Sequence, residues 1–222
     1  MSRPEFTVAA DVGTANLAVA VYDAGRARLS LVRLHDVRGA TPVATAVAVR
    51  AVWEAVRAAV PDGARVRCVV ENQFMCTRFQ AKIVQVGGMC LSEATRLFGP
   101  DACSLCNAGD KFAFYGIDVG GKTRGSRKTA AAAFVRQRFL PSCAQDAAVM
   151  AEYWARPKKD DMDDAIMMAL HTARVPVPVP APVVAPPAPA VKPAIKPAIK
   201  PAKKRARAQG PSGSAGVVID LS

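Results

Sequence analysis

Four aspartates fall within five positions, Asp160, Asp161, Asp163 and Asp164, and an apolar run from Ala165 through Leu170 to His171 follows at once. A helix start accepts one Asp as a cap, because its first amides lack partners and the helix dipole is positive there. One cap does not account for four acids. Asp161 and Asp164 are spaced three apart, so on a helix they project from one face. Two carboxylates so placed repel unless a proton or a cation lies between them. Oxygen donors of this kind suit Mg2+ or Mn2+. Asp161 and Asp164 are therefore expected as metal ligands, with Asp160 as a cap and Asp163 as a supporting or solvated charge.

Two acids far upstream can complete such a site. Asp11 closes the apolar run that begins at Phe6, and Glu71 closes the run from Arg65 to Val70. In an α/β sheet, adjacent strand ends share one rim, and ligands bind there. Two ions about 3.5–4 Å apart can activate a water and stabilise the leaving oxygen of a phosphodiester. That chemistry needs no nucleophilic side chain, and none is evident. Taken singly, Asp11 reads as a turn residue before Gly13. Glu71 is harder to dismiss, since so apolar a strand rarely ends in Glu-Asn-Gln without a use.

The elements that must position these acids follow from periodicity. Residues 6–12, 16–22 and 27–34 read as strands of an antiparallel meander, with Asp23-Ala24-Gly25 as a hairpin turn. Thr41 and Pro42 open a helix whose apolar face carries Val49, Val52, Trp53, Val56 and Val60. Residues 65–70 give a fourth strand. A helix from about Thr77 to Phe98 follows, interrupted by Gly87-Gly88, where close approach of another backbone is expected. Residues 102–106 give a fifth strand. A basic, Gly-rich loop from Lys111 to Lys128 leads to helices over about 126–139, 144–154 and 161–174.

From Val175 the composition changes: eleven of the seventeen prolines lie beyond it, among Ala, Val and Lys, and Lys-Pro-Ala-Ile repeats at 192 and 196. This reads as a domain over 1–174 and a disordered basic tail over 175–222. The tail carries seven Lys/Arg and one Asp, a net of +6 out of the +12 for the whole chain. Such a tail could tether nucleic acid through phosphates, and Lys203-Lys204-Arg205-Ala206-Arg207 fits a nuclear import signal equally well. The terminal Val217-Val218-Ile219-Asp220-Leu221 reads as a frayed end or a docking strand. The basic balance points to an anionic partner and half the chain is apolar, enough for a sizeable core. Met1 to Glu5 lack an apolar leader and no run suits a membrane span, so an intracellular, reducing compartment is expected, with the six cysteines as core thiols. Cys103-Ser104-Leu105-Cys106 has zinc or redox spacing but no second Cys/His pair.

These residues carry a resemblance. The order of three strands, helix, strand, helix, strand and closing helices resembles the ribonuclease H-like fold. Val69-Val70-Glu71-Asn72-Gln73-Phe74-Met75 resembles the Glu-containing motif of RuvC-type Holliday junction resolvases. Asp161-x-x-Asp164-Ala165, running into Ala169-Leu170-His171, resembles that family's C-terminal motif, and Asp11-Val12-Gly13-Thr14 its first. The run Lys158-Lys159-Asp160-Asp161-Met162 is most similar to the branch of poxviruses and other large DNA viruses. The resemblance covers about residues 6–172 and excludes the tail, which is not a general family feature.

The resemblance implies an α/β, ribonuclease H-like fold with a mixed five-stranded sheet flanked by helices. It implies that Asp11, Glu71, Asp161 and Asp164 are catalytic metal ligands for two Mg2+ ions, with Mn2+ as a substitute. It implies a homodimer that cuts four-way DNA junctions by two-metal phosphodiester hydrolysis, with the interface on the helix carrying Gln85-Val86-Gly87-Gly88. Phe74 matches an aromatic that stacks on bases at the opened crossover, although its position fits core packing as well. Lys111 and Lys122 match two lysines that contact scissile-strand phosphates, and Arg124 and Lys128 of the same loop join them as expected DNA contacts. Asp160 and Asp163 depart from the pattern and leave open which pair ligates. A viral replication site or host nucleus is the implied location.

Three rival readings remain. Gly116-Ile117-Asp118-Val119-Gly120-Gly121-Lys122-Thr123 satisfies the phosphate-loop pattern of nucleotide hydrolases. Arg124-Gly125 interrupt the passage into a helix, and no later strand ends in a metal-binding Asp. Asp11-x-Gly13-Thr14 also occurs in actin-like sugar kinases, which need two such lobes and more chain. A non-catalytic DNA-binding protein would leave the rim carboxylates repelling phosphate. Within the nucleases, an RNA/DNA-hybrid nuclease of the same fold is the nearest alternative, and Phe74 with the long helix after Glu71 favours the resolvase.

Overall fold

Side chains alternate along a strand, so strand register decides which residues reach the functional face. The computed structural model describes residues 5–13, 15–38, 41–72, 81–119, 123–142, 145–157 and 159–176. Its strands are β1 (Phe6–Val12), β2 (Asn16–Asp23), β3 (Arg28–Asp36), β4 (Val66–Glu71) and β5 (Cys103–Cys106). They form one mixed sheet in the order β3-β2-β1-β4-β5. β1 to β3 are antiparallel neighbours, whereas β4 runs parallel to both β1 and β5. β1 and β4 pair from Phe6 with Val66 through Ala10 with Val70. One step further, the same register sets Asp11 beside Glu71.

The sheet separates two apolar layers. Val8, Ala10, Val12, Cys68 and Val70 face helices α1 (Pro42–Ala58) and α2 (Ala81–Phe98), where Val49, Val52, Trp53, Val56, Val86 and Cys90 bury their side chains. Ala9, Ala18, Ala20 and Val69 face the opposite layer. Asp11 and Glu71 share the odd parity of Ala9 and Val69, so alternation points them into that second layer.

The second layer is built around α6 (Asp160–Thr172). Met162 and the whole stretch from Ala165 to Leu170 are buried. A helix apolar on every side must be covered on every side. The sheet covers one flank, and its small Ala9, Ala18 and Ala20 let the helix lie close. Phe112, Ala131, Phe134, Val135, Phe139 and Tyr153 cover the other. Each fully buried Leu, Ile or Met contributes about 1.5–3 kcal/mol, so this helix is firmly seated.

Local signals set several boundaries. The Thr41 hydroxyl accepts from the Ala44 amide at 3.2 Å, with Pro42 in the first turn of α1. Asp146 caps α5 (Ala147–Ala155) by accepting from the Ala148 amide at 2.9 Å. α6 is preceded by Lys159 and has no side-chain cap. Asp160, expected as that cap, is its first residue and pairs elsewhere.

Other expectations need correction. The segment expected as a loop from Lys111 contains α3 (Asp110–Phe114), and α4 (Arg124–Ala133) begins before Lys128. The helix expected over 126–139 changes at Phe134 into a six-residue π-helical turn, Phe134–Phe139. That wider turn carries Phe134, Val135 and Phe139 into the core, and Pro141 just beyond it lacks the amide that would continue a regular helix. Among the described residues, no backbone approaches Gly87 or Gly88: an added Cβ at either would meet none of them within 4 Å. The expected tail, Phe74, Lys122 and the start of the helix expected from Thr77 lie outside the described residues.

Candidate active site

Asp11 stands at the carboxyl end of β1 with Glu71 beside it at the end of β4. Burial first, and then the Glu71 charge, push the Asp11 carboxyl well above the ordinary carboxylate range. α6 brings Asp161 and Asp164 to the same rim, and all four acids line one cleft of about 290 Å3 with Lys111 and Lys128.

Each acid on α6 has its own partner. Asp164 accepts from Lys111 Nζ at 2.6 Å. Burial raises the Asp164 carboxyl, Lys111 partly offsets this, and Glu71 adds repulsion. Asp161 takes the Lys128 ammonium at 2.5 Å and the Asn16 amide at 3.4 Å. Asp160 takes the other side of Lys128, also at 2.5 Å. Burial works against the Lys128 ammonium, but its two carboxylate bonds win and hold its pKa above the usual lysine value.

Asp163 faces away from the cleft and is wholly buried. It accepts from the Tyr153 hydroxyl at 2.6 Å and from Arg136 at 2.5 Å, and Arg136 also donates to the Tyr153 oxygen at 3.0 Å. Burial raises the Asp163 carboxyl, and those two hydrogen bonds restrain the rise. The expectation of a supporting or solvated charge is therefore corrected: Asp163 ties α6 to α5 and to the π-helical turn. The wide turn is what aims Arg136 at it.

The basic residues also divide. Lys111, expected in a basic loop as a phosphate contact, is 1% exposed on α3 and bound to Asp164. Lys128 is spent on two aspartates. Arg124 starts α4. For the phosphate-loop reading, the interruption of the helix expected at Arg124-Gly125 is absent, whereas among the described residues no strand follows Lys122, as expected. Thr123 caps α4 directly, accepting from the Ser126 amide at 3.3 Å. The reading falls on the other side: a phosphate loop follows a strand, and here α3 precedes it.

Sequence reasoning missed Asn16, Tyr153 and Arg136. Asn16 had a signal, since Gly13 makes the turn that presents it. The Gly13 amide donates to the Asn16 carbonyl at 2.8 Å, and a Cβ at Gly13 would come within 3.0 Å of that oxygen. Tyr153 and Arg136 had none.

The donor set fits a hard divalent cation: oxygen-only, four acids, one of them forced to share a proton or charge with its neighbour. Among the described residues, no group of three His, Cys, Asp or Glu side chains is placed to hold a metal ion as it stands. The Lys111 and Lys128 ammoniums lie against Asp164, Asp160 and Asp161.

No family model matches the chain, and no curated protein matches its sequence. Among solved structures, RuvC of T. thermophilus in complex with a Holliday junction substrate aligns over 75% of this chain and 90% of its own, at 18% identity and a TM-score of 0.51. The fold is ribonuclease H-like. A second structure of Thermus thermophilus RuvC covers 76% of this chain and 95% of its own, at 18% identity and a TM-score of 0.49. The shared architecture is the mixed five-stranded sheet with flanking helices, and in this chain the acid cleft lies at the carboxyl ends of its two central parallel strands.

Proposed function

We propose that the chain is a divalent-metal-dependent, structure-selective endonuclease that resolves four-way DNA junctions. The observation that carries this reading is the convergence of Asp11, Glu71, Asp161 and Asp164 in one cleft with Lys111 and Lys128 among them. Among the described residues, the cleft is lined by no Ser, Thr or Cys.

Asp11, Glu71, Asp161 and Asp164 would hold Mg2+ or Mn2+. A bound cation of that kind supplies Lewis acidity and a water of lowered pKa. The residues of the chain do the rest. Asp11 and Glu71 lie side by side at the cleft floor, where the repulsion between neighbouring carboxylates favours a cation between them. Lys111 fixes the Asp164 carboxylate at 2.6 Å, and Lys128 and Asn16 fix that of Asp161. Both ammoniums also offset the phosphate charge that enters the cleft. A homodimer would match the two-fold symmetry of a junction. The Asp-rich C-terminal motif supports an origin in the large-DNA-virus branch.

The test is cleavage of a synthetic mobile junction set against linear duplex and RNA/DNA hybrid, with Mg2+. Junctions should be nicked symmetrically, and Asp11→Asn, Glu71→Gln and Asp161→Asn should stop cutting while junction binding persists. Normal cutting by Asp161→Asn would remove that residue from the site. Preference for the hybrid would move the chain to the hybrid nucleases, and ATP hydrolysis without junction cleavage would revive the phosphate-loop reading.

A further inference from the structure

Two tryptophans occupy opposite environments. Trp53 is wholly buried under the sheet, whereas Trp154, at the end of α5, is 55% exposed. Single exposed apolar residues are common, but this one is held in place by its neighbours. Its ring meets Tyr153 edge-on, with centroids 4.8 Å apart and planes at 80°. Tyr153 in turn is fixed by its 2.6 Å bond to Asp163, the neighbour of Asp164 on α6. One buried tyrosine therefore separates the exposed indole from the helix that carries the cleft acids.

The surroundings are cationic. Lys159 Nζ stands over the Trp154 ring at 5.6 Å and donates to the Arg156 carbonyl. Arg156 and Arg33 are both about half exposed, and one acid, Glu152, lies between them at 3.8 and 3.3 Å. Against these three cations stand Glu152 and the adjoining Asp160, and Asp160 is already paired with Lys128, so the patch is net positive. Lys159 precedes Asp160, whose carboxylate holds Lys128, and Lys128 lines the cleft and also holds Asp161, so the patch connects to the cleft through that pair.

A flat, rigid, amphipathic ring among cations suits a nucleobase with its phosphate. Bases inside a duplex are already stacked and offer no free face. We propose that Trp154, flanked by Lys159 and Arg156, is a stacking platform for an unpaired DNA base beside the acid cleft. The proposal rests on the reading of that cleft as a DNA site, and it adds single-stranded character next to the cut as what the chain recognises.

Intrinsic fluorescence tests it, because Trp53 is sealed from solvent and any nucleic-acid response must come from Trp154. The full chain, with Ca2+ replacing Mg2+ to prevent cutting, is titrated with oligothymidylate, a linear duplex of equal length and a four-way junction. Oligothymidylate and the junction should quench the emission, and the duplex should do so far less. Trp154→Ala should abolish the response and weaken oligothymidylate binding roughly 5- to 100-fold. Trp154→Phe should recover most of the affinity, and both variants should keep the wild-type melting temperature. Absence of quenching, or wild-type affinity in Trp154→Ala, overturns the platform. So does an emission shift with protein concentration alone, which would assign the surface to a second copy of the chain. If quenching occurs in a chain that cuts no junction, the platform stands and the resolvase reading falls; cleavage without quenching separates them the other way.

Discussion

Asp163 and Asp164 are neighbours on one helix with opposite fates. Asp163 is buried and accepts from two fixed donors, the Tyr153 hydroxyl and the Arg136 guanidinium. Asp164 shares its cleft with Asp11 and Glu71, and Lys111 offsets only part of the repulsion. Consecutive helix positions point about 100° apart, so one side chain meets the packed layer and the other meets the rim. The comparison teaches that a carboxylate satisfied by fixed protein donors is holding structure. One left in mutual repulsion is held ready for a cation.

The largest expected difference is in catalysis. Asp164→Asn, like Asp11→Asn, should lower the junction-cleavage rate by roughly 100-fold or more, whereas Asp163→Asn should leave it within about tenfold. A cleavage assay in which Asp163→Asn was as dead as Asp164→Asn, with an unchanged melting temperature, would erase the distinction.

Stability should separate the same residues in the reverse sense. Asp163→Ala strips Tyr153 and Arg136 of their acceptor. Loss of one partner of a buried pair costs about 3–5 kcal/mol, and the half-open Arg136 places this case near the lower end, a fall of roughly 6–12 °C in melting temperature. Asp11→Asn should instead raise the melting temperature in chelating buffer by a few degrees, because it relieves the repulsion with Glu71. A destabilised Asp11→Asn, measured by thermal melting, contradicts the repulsion.

That gain should grow with pH. Asp11 and Asp164 both hold their protons more tightly folded than unfolded. Their contribution to stability is full below the ordinary carboxylate value of 3.8 and is lost as pH rises through the raised values. The difference in melting temperature between Asp11→Asn and wild type should therefore be small near pH 4 and widen towards pH 8. Melting curves across that range, with chelator, check it; a difference that narrowed would reverse the sign.

The smallest effect belongs to Lys128. Its pairs with Asp160 and Asp161 keep some solvent contact, with side chains about one-fifth exposed. Lys128→Met should cost about 1 kcal/mol, and Asp161→Asn in the same chain should recover part of that loss. Simple additivity in that double-mutant cycle would show that Lys128 and Asp161 do not compensate one another.

Much of the fold is legible in the chain. The apolar runs at 6–12 and 65–70 show where β1 and β4 lie, and Thr41-Pro42 marks the start of α1. The acids Asp11 and Glu71 stand out because each closes an apolar strand. The helix over 126–139 was misread because the π-helical turn depends on what Phe134, Val135 and Phe139 pack against, which local periodicity does not contain. The burial of Lys111 is hidden from the local pattern for the same reason: its partner Asp164 lies 53 positions away. Gly87-Gly88 looked like a close-packing site, yet glycine marks the possibility of a close approach and the neighbour must come from elsewhere.

Strand parity, helix periodicity and the positions of the acids were set by the sequence alone, because alternation and the 3.6-residue turn act between near neighbours. The tertiary structure alone decided the partners. The rotation of α6 about its axis is fixed by apolar packing against Ala9, Ala18 and Ala20 on one flank and Phe134, Phe139 and Tyr153 on the other. That rotation sends Asp161 to Asn16, 145 residues away, Asp164 to the cleft, and Asp163 into the hydrogen bonds of Tyr153 and Arg136.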